Sequence, residues 1–286
     1  MAIRVCAERT PRTAAVERLS AGDHACLGFD SGADRWALRA VFTADGLARG
    51  ERVLLFGGLP AGEGPDAGLA RLAAHGLAAG RAAAEGRLEV VTGASPGHDP
   101  AGGFDAAART AYWSAATGDA LDRGFAGLRA AGDMSWTGQD GLDAAELAAV
   151  TSYERDVTRL FDQIPLTGMC EYDRRAVPPR LFEQMLSLHP LAVLPEPGAL
   201  HAERDGDVLR LAGDADLATR AAFEFAVTES GLAVIDLTGL AFIDASCARA
   251  LLRLTGEVVL ECTEMQARIL ALCGPRQDEG VVARVR

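Results

Sequence analysis

His24 and Cys26 stand two residues apart in Gly22-Asp-His-Ala-Cys, and Cys170 and Tyr172 two apart in Cys170-Glu-Tyr-Asp-Arg-Arg. On extended backbone alternate side chains share a face, so each pair projects to one side, roughly 7 Å apart. Imidazole beside thiol supports two chemistries. One is covalent catalysis, with Cys26 or Cys170 as nucleophile near His24 and Asp173. The other is metal binding, since thiolate and imidazole suit zinc or haem iron. Cysteines on buried strands are more often core, and a strand histidine is more often a satisfied hydrogen-bonding group. No nucleophile elbow accompanies the cysteines, and the six (Cys6, Cys26, Cys170, Cys247, Cys262, Cys273) include no Cys-x-x-Cys pair. The expectation is therefore no enzyme and no resident metal, with most of the thiols buried as small apolar groups. In Asp244-Ala-Ser-Cys247, Asp244 and Ser246 open a helix, as caps do routinely.

The elements that must position these residues alternate. Strand-like runs at His24–Phe29, Arg52–Phe56 and residues 88–92, 126–134 and 168–172 are each followed by a helical pattern, at residues 34–48, 67–84, 105–116, 142–161 and 178–188. Such alternation predicts a mainly parallel sheet with helices on both faces, and ligands collect outside the carboxyl ends of its strands. Phe29, Asp30, Trp136, Tyr172, Asp173 and Arg174 would converge there, with Glu154 facing the same pocket. His189, before Pro190, is expected to help end its helix. His75 and His98 are expected on the surface, and Trp36 and Trp113 as packing residues. Three prolines and a glycine between residues 190 and 198 form a joint that interrupts regular structure. Beyond it, Asp205-Gly206 predicts a tight hairpin. Helices at residues 217–228, 245–254 and 263–272 and strands at 232–237 and 257–261 complete a smaller α/β domain, with a turn at Gly239 before Phe242 and Ile243.

Composition narrows the function. Of 286 residues, 40 are acidic and 28 basic, a formal charge of −12. All 28 basic residues are Arg, and the chain has neither Lys nor Asn. That excludes a Schiff-base lysine, a phosphate loop ending in Gly-Lys-Ser/Thr, a protein-kinase lysine and an N-glycosylation acceptor. The skew resembles a GC-rich bacterial coding sequence. Up to Pro195 there are 25 acids and 19 Arg, and beyond it 15 and 9, so each side carries −6. No basic run marks a nucleic-acid surface. The longest charge-free stretches, such as residues 72–80, fall far short of a membrane span, and no apolar signal segment opens the chain. A cytoplasmic protein is expected.

Two resemblances join these readings. Val234-Ile-Asp-Leu-Thr-Gly-Leu-Ala-Phe-Ile-Asp-Ala-Ser-Cys with Leu211-Ala-Gly-Asp-Ala-Asp-Leu resembles the STAS family of sulfate transporters and anti-sigma-factor antagonists, over about residues 201–274. The resemblance implies phosphorylation at Ser246 by an anti-sigma factor with a GHKL-type serine-kinase fold, switching partner binding across a surface of Asp244, Ala245, Cys247, Asp214 and Asp216. The family's usual glycine is here Cys247. Upstream, the strand, loop and helix around residues 22–36 resemble the opening of a RecA-like ATPase, but Arg35-Trp36 stands where Lys-Ser or Lys-Thr would. Gly22-Asp-His-x-Cys, Gly46-Leu-x-x-Gly-Glu-Arg-Val, Gly132-Asp-Met-Ser-Trp, Tyr153-Glu154, Cys170-Glu-Tyr-Asp-Arg-Arg and His189-Pro190 resemble the MEDS family, the sensory domain of methanogens and methylotrophs. That resemblance implies sensing of a small organic molecule, and in actinobacteria fusion to STAS or kinase-like modules.

The expected architecture is thus an arm (residues 1–19), a sensory domain with a RecA-like parallel sheet and a degenerate phosphate loop (20–194), a linker (195–199) and a STAS-type α/β domain (200–286). The ligand pocket is expected at His24, Cys26, Phe29, Asp30, Trp136, Glu154, Cys170, Tyr172, Asp173 and Arg174. No cofactor beyond an unidentified organic signal is expected, nor contact with nucleic acid or membrane. A constitutive protein-binding scaffold is the alternative, and a cysteine-dependent enzyme ranks below it.

Overall fold

Leu-, Val- and Ala-rich runs separated by glycine stops give the chain its strand–helix rhythm in a computed structural model that describes residues 11–93, 95–99, 103–138, 142–196, 199–275 and 278–286. Cys6, the first ten residues of the arm, and Pro197 and Gly198 of the linker lie outside the described residues. Two units form: Leu19–Pro195 is the body of one, and Glu196–Arg286 with Arg12–Arg18 makes up the other. The α/β class expected from sequence is the class observed, a larger parallel sheet and a second, smaller one. A short strand β1 (Arg12–Ala14) lies in the segment that clusters with the second unit.

In the first unit the chain runs β2 (His24–Phe29), α1 (Gly32–Ala48), β3 (Arg52–Phe56), α2 (Pro65–Ala74), α3 (Gly80–Ala84), β4 (Leu88–Val91), β5 (His98–Asp99), β6 (Gly103–Phe104), α4 (Ala106–Asp122), β7 (Leu128–Asp133), α5 (Ala144–Phe161), β8 (Leu166–Asp173), α6 (Pro179–Leu188) and β9 (Leu191–Val193). The strands of the unit's main sheet lie in the order β9-β2-β8-β7-β3-β4, every pair parallel. Helices cover both faces of such a sheet, so its central strands are apolar throughout. Val53, Leu54, Leu55 and Phe56 of β3 are all buried.

Three expectations give way. The helix expected over residues 67–84 breaks into α2 and α3 because Gly76 turns the backbone to φ +86°. The helix expected to stop at residue 116 runs on to Asp122. The proline-rich joint holds a strand: β9 fits between Pro190 and Pro195, where each residue keeps its N–H, and it pairs with β2 through Ala25–Leu191 and Cys26–Ala192.

Two arginines fully withdrawn from solvent lie inside this unit. The Arg39 guanidinium donates to Glu171 Oε1 at 2.8 Å and Oε2 at 2.5 Å, and to the Gly57 and Phe56 carbonyls at 2.8 and 2.9 Å. Arg129 donates to Glu51 at 2.5 Å and to the Leu19 carbonyl at 2.9 Å, with Asp45 at 2.9 Å. Gly46 makes room for it, since a Cβ there would come within 2.6 Å of Arg129 Cδ. Gly50, at φ +75°, stops α1 so that Glu51 can turn inward.

The second unit runs β10 (Leu200–Asp205), β11 (Val208–Ala215), α7 (Arg220–Val227), β12 (Val234–Ile243), α8 (Ala245–Leu252), β13 (Val258–Cys262), α9 (Glu264–Cys273) and β14 (Val281–Val285), with the strands in sequence order across the sheet. The expected hairpin joins β10 to β11 through Gly206 at φ +62°, and the remaining pairs are parallel. The expected turn at Gly239 is a register shift within a continuous β12. A Cβ on Gly239 would sit 2.8 Å from the Leu211 carbonyl. The segment 12–18 is held by Arg18 to Glu229, by Glu17 to His201 at 2.6 Å, and by Arg12 over the Phe225 ring at 4.5 Å.

Removing one partner of a buried pair strands a charge, which costs about 3–5 kcal/mol. Glu171→Ala is expected to lose that much in urea denaturation. Arg81→Ala, which removes an exposed helical pair with Glu85, is expected to leave the urea midpoint unchanged, since solvent screens such pairs.

Candidate functional site

Parallel pairing of β2 with β8 sets His24 opposite Gly168 and Cys26 opposite Cys170. Gly168 leaves space for the Phe161 ring, which stacks on His24 at 4.7 Å. From α5, Glu154 enters fully buried. From the residue that ends α6, the His189 ring turns inward to meet it. The result is a knot of four side chains from distant parts of the chain. Glu154 Oε2 lies 3.3 Å from His24 Nε2 and 3.5 Å from His189 Nε2. Cys170 Sγ lies 3.6 Å from His24 Nε2 and 3.9 Å from Glu154 Oε2. On the far side of each ring, His24 Nδ1 meets Thr158 Oγ1 at 3.1 Å and His189 Nδ1 meets the Met185 carbonyl at 2.8 Å.

Burial and charge oppose each other here. Burial pushes the Glu154 carboxyl up, but the hydrogen bond from His24 and the charges of His189, His24 and Arg109 outweigh it and hold the group below its ordinary range. Burial, then the charge of His24, drives His189 down to about 4, so its ring is neutral at physiological pH. Burial, followed by the Glu154 charge, pushes the Cys26 and Cys170 thiols and the Tyr172 hydroxyl well up. Several buried polar atoms lack a hydrogen-bond partner: Glu154 Oε1, His189 Nε2, the Tyr172 hydroxyl, and Nε and one terminal nitrogen of Arg109. Arg109 is 2% exposed. Its contacts are Met134 Sδ at 3.1 Å and the faces of Tyr153 and Phe104 at 5.4 and 5.7 Å. A cavity of about 30 Å³ opens between Arg109, Tyr153, His24 and Cys170.

The ten residues expected to line one pocket separate. His24, Glu154 and Cys170 meet in the knot, and Cys26 and Tyr172 pack beside Met134, Val150 and Met185. The others lie toward the carboxyl ends of the strands. Asp30 is taken up by a bidentate ion pair with Arg174, and Asp173 by Arg175. Phe29 lies buried under the Arg35 guanidinium, and Trp136 stacks on His98 at 3.9 Å. A crevice of about 460 Å³ does open near those ends, but Arg35, Trp36, Gly58, Arg71, His75 and Asp133 are among its walls and none of the ten is. Where an ATPase would place its lysine, Arg35 donates to Asp133 at 2.7 Å and to the Gly58 carbonyl at 2.9 Å.

Two participants escape sequence reasoning. His189 does end α6, with an extended ψ of 139°, but its ring also completes the knot. Arg109 lies in an alanine-rich helix where nothing local distinguishes it from a solvated arginine. Trp36 and Trp113 are packing residues as expected, and the Trp113 indole donates to the Tyr153 hydroxyl at 2.9 Å.

In the second unit, Asp244 is the cap of α8, its Oδ1 accepting from the Ser246 and Cys247 amides at 2.8 Å each. Ser246 stands half-buried in the first turn. Cys247 points inward, fully buried, its Sγ toward the Asp216 carbonyl at 3.9 Å. Asp216 caps the loop before α7 by accepting from the Ala218 and Thr219 amides. Asp214 and Ala245 are exposed. Register places Asp214 beside Phe242, which with Leu217 leaves an apolar surface open, 53% and 81% exposed. No helix among the described residues is long and apolar enough to cross a membrane.

No curated protein matches the chain. The family model for MEDS, the MEthanogen/methylotroph, DcmR Sensory domain, matches residues 23–190. That span is more than half of the sequence and takes in His24, Arg109, Glu154, Cys170 and His189, so the site's residues all lie inside it. The chain belongs to the MEDS family.

Proposed function

We propose that this protein is a cytoplasmic signalling regulator whose MEDS unit captures a small organic molecule at Arg109 and the knot beside it. The observation that carries this reading is the buried, incompletely partnered Arg109 guanidinium at the wall of an internal cavity. A buried cation without its full set of acceptors is costly to keep. A carboxylate or carbonyl oxygen would satisfy it, and the cavity sets the scale at a molecule of few non-hydrogen atoms. The sensory description of the family agrees with this use.

The second unit is proposed to be a STAS-type switch with its output at Ser246. Asp244 occupies the cap, which leaves the Ser246 hydroxyl free of that duty at the amide-rich end of α8. A phosphate there would meet a favourable helix dipole while adding about −1.5 to −2 charge beside Asp244 and the exposed Phe242 and Leu217. The buried thiol of Cys247 does not protrude into that surface. The partner proposed is an anti-sigma factor with a GHKL-type serine-kinase fold. A signal governs it only by binding one state of the sensor better than another.

No enzymatic role is proposed. The reactive form of cysteine is the thiolate, and burial disfavours it at both Cys26 and Cys170. Iodoacetamide at neutral pH is expected to label these two only after unfolding in guanidinium. Rapid labelling of either in the native protein would restore the catalytic reading.

For the sensor, a thermal-shift panel of short carboxylic acids and carbonyl compounds is expected to contain a stabilising member. Saturation a hundredfold above Kd adds about 2.7 kcal/mol, a rise of roughly 2–4 °C per kcal/mol, and Arg109→Met should abolish the response. For the switch, incubation with such a kinase and ATP is expected to phosphorylate the wild type and not Ser246→Ala, with Ser246→Asp weakening partner binding. No phosphate and unchanged binding in both variants would leave a constitutive scaffold.

A further inference from the structure

The knot of His24, Glu154, Cys170 and His189 has more order than a chance meeting of polar side chains requires. One ligand-capable atom from each residue lies within 4.8 Å of all the others. The four separations around Glu154 Oε2 and His24 Nε2 are 3.3, 3.5, 3.6 and 3.9 Å. A tetrahedral zinc with Zn–N and Zn–O near 2.0 Å and Zn–S near 2.3 Å has edges of about 3.3–3.6 Å.

Both imidazoles are also oriented as ligands are. Metal-bound histidines give their second nitrogen to a backbone carbonyl or a polar side chain, which fixes the tautomer and aims the lone pair. His189 Nδ1 is tied to the Met185 carbonyl and His24 Nδ1 to Thr158 Oγ1, so both Nε2 atoms face the centre. Independently, Glu154 Oε1 and His189 Nε2 are buried without a hydrogen-bond partner, and both residues are nine-tenths or more buried. Native interiors rarely leave such groups idle.

We propose that His24 Nε2, Glu154 Oε2, Cys170 Sγ and His189 Nε2 form a binding site for one zinc ion. Thiolate and carboxylate together carry −2, so a divalent ion makes the buried assembly neutral. The mixed nitrogen, sulfur and oxygen set matches an ion of borderline softness and not magnesium or calcium. Cys170 would bind as thiolate, its proton leaving to solvent as the metal enters. The cavity beside His24 and Cys170 lies at the edge of this centre, where a fifth ligand could approach.

The test uses the full chain, stripped with a chelator and reloaded with zinc or cobalt(II). Zinc is expected to bind at roughly one ion per chain. Cobalt should give the visible bands of a tetrahedral site and a thiolate-to-cobalt charge-transfer band in the near ultraviolet. That band should vanish in Cys170→Ser and persist in Cys26→Ser. Thr158→Val leaves the four ligands in place and should weaken zinc binding about 10- to 100-fold, so the site can be judged even if Cys170→Ser does not fold. Absence of the band in the reloaded wild type, its survival in Cys170→Ser, or unchanged zinc affinity in Thr158→Val would each overturn the proposal. Metal is measured here with no signal molecule present, so this result and the outcome of the ligand panel stand apart.

Discussion

The parallel register of β2 against β8 is the constraint on which the first unit depends. It sets Cys26 beside Cys170 and Leu27 beside Glu171. Because successive strand residues face opposite ways, one strand serves two interiors. Cys170 looks toward α5 and the knot, while Glu171 looks toward α1 and receives Arg39. A slip of one residue would exchange these faces, sending Glu171 among apolar side chains and leaving Arg39 without its carboxylate. The ion pair on one face therefore makes the geometry on the other face hard to lose.

Much of the family pattern turns out to be scaffolding. Gly46 and Glu51, in one of its motifs, accommodate and neutralise Arg129, and Gly50 ends α1 so that they can. Tyr153 accepts from Trp113, whereas its neighbour Glu154 enters the knot. A single dipeptide thus contains one residue that holds α4 to α5 and one that faces the chemistry. In Asp133, from Gly132-Asp-Met-Ser-Trp, the carboxylate holds Arg35, closing with a fixed ion pair the place where a phosphate would need a free cation.

What was legible in the sequence was local. His24–Phe29 and Arg52–Phe56 declare themselves as strands by apolar runs bounded by turns, and the glycine at residue 50 marks a helix end. The hairpin at Gly206 and the cap at Asp244 follow from short-range backbone chemistry in the same way. The knot depends on the opposite kind of information. Its members are separated by up to 165 positions, His24 to His189, and their meeting requires strand order, helix rotation and a chain reversal at once. Glu154 and Cys170 were visible as candidates. His189 was masked by the simpler role its proline neighbour gives it, and Arg109 by the alanines around it. The strand β9 was hidden because prolines that normally break structure here only bracket it.

The segment Arg12–Arg18 belongs with the second unit although Leu19–Pro195 of the first unit follows it in the chain. Synthesis therefore delivers this piece some two hundred residues before Glu229, His201 and Phe225, which it contacts, exist. The second unit can close only after its last strands leave the ribosome. A cut at residue 195 would consequently part Arg12, Glu17 and Arg18 from the second-unit residues they hold. In genetic terms, Leu19–Pro195 is a stretch inserted between two pieces of the other unit.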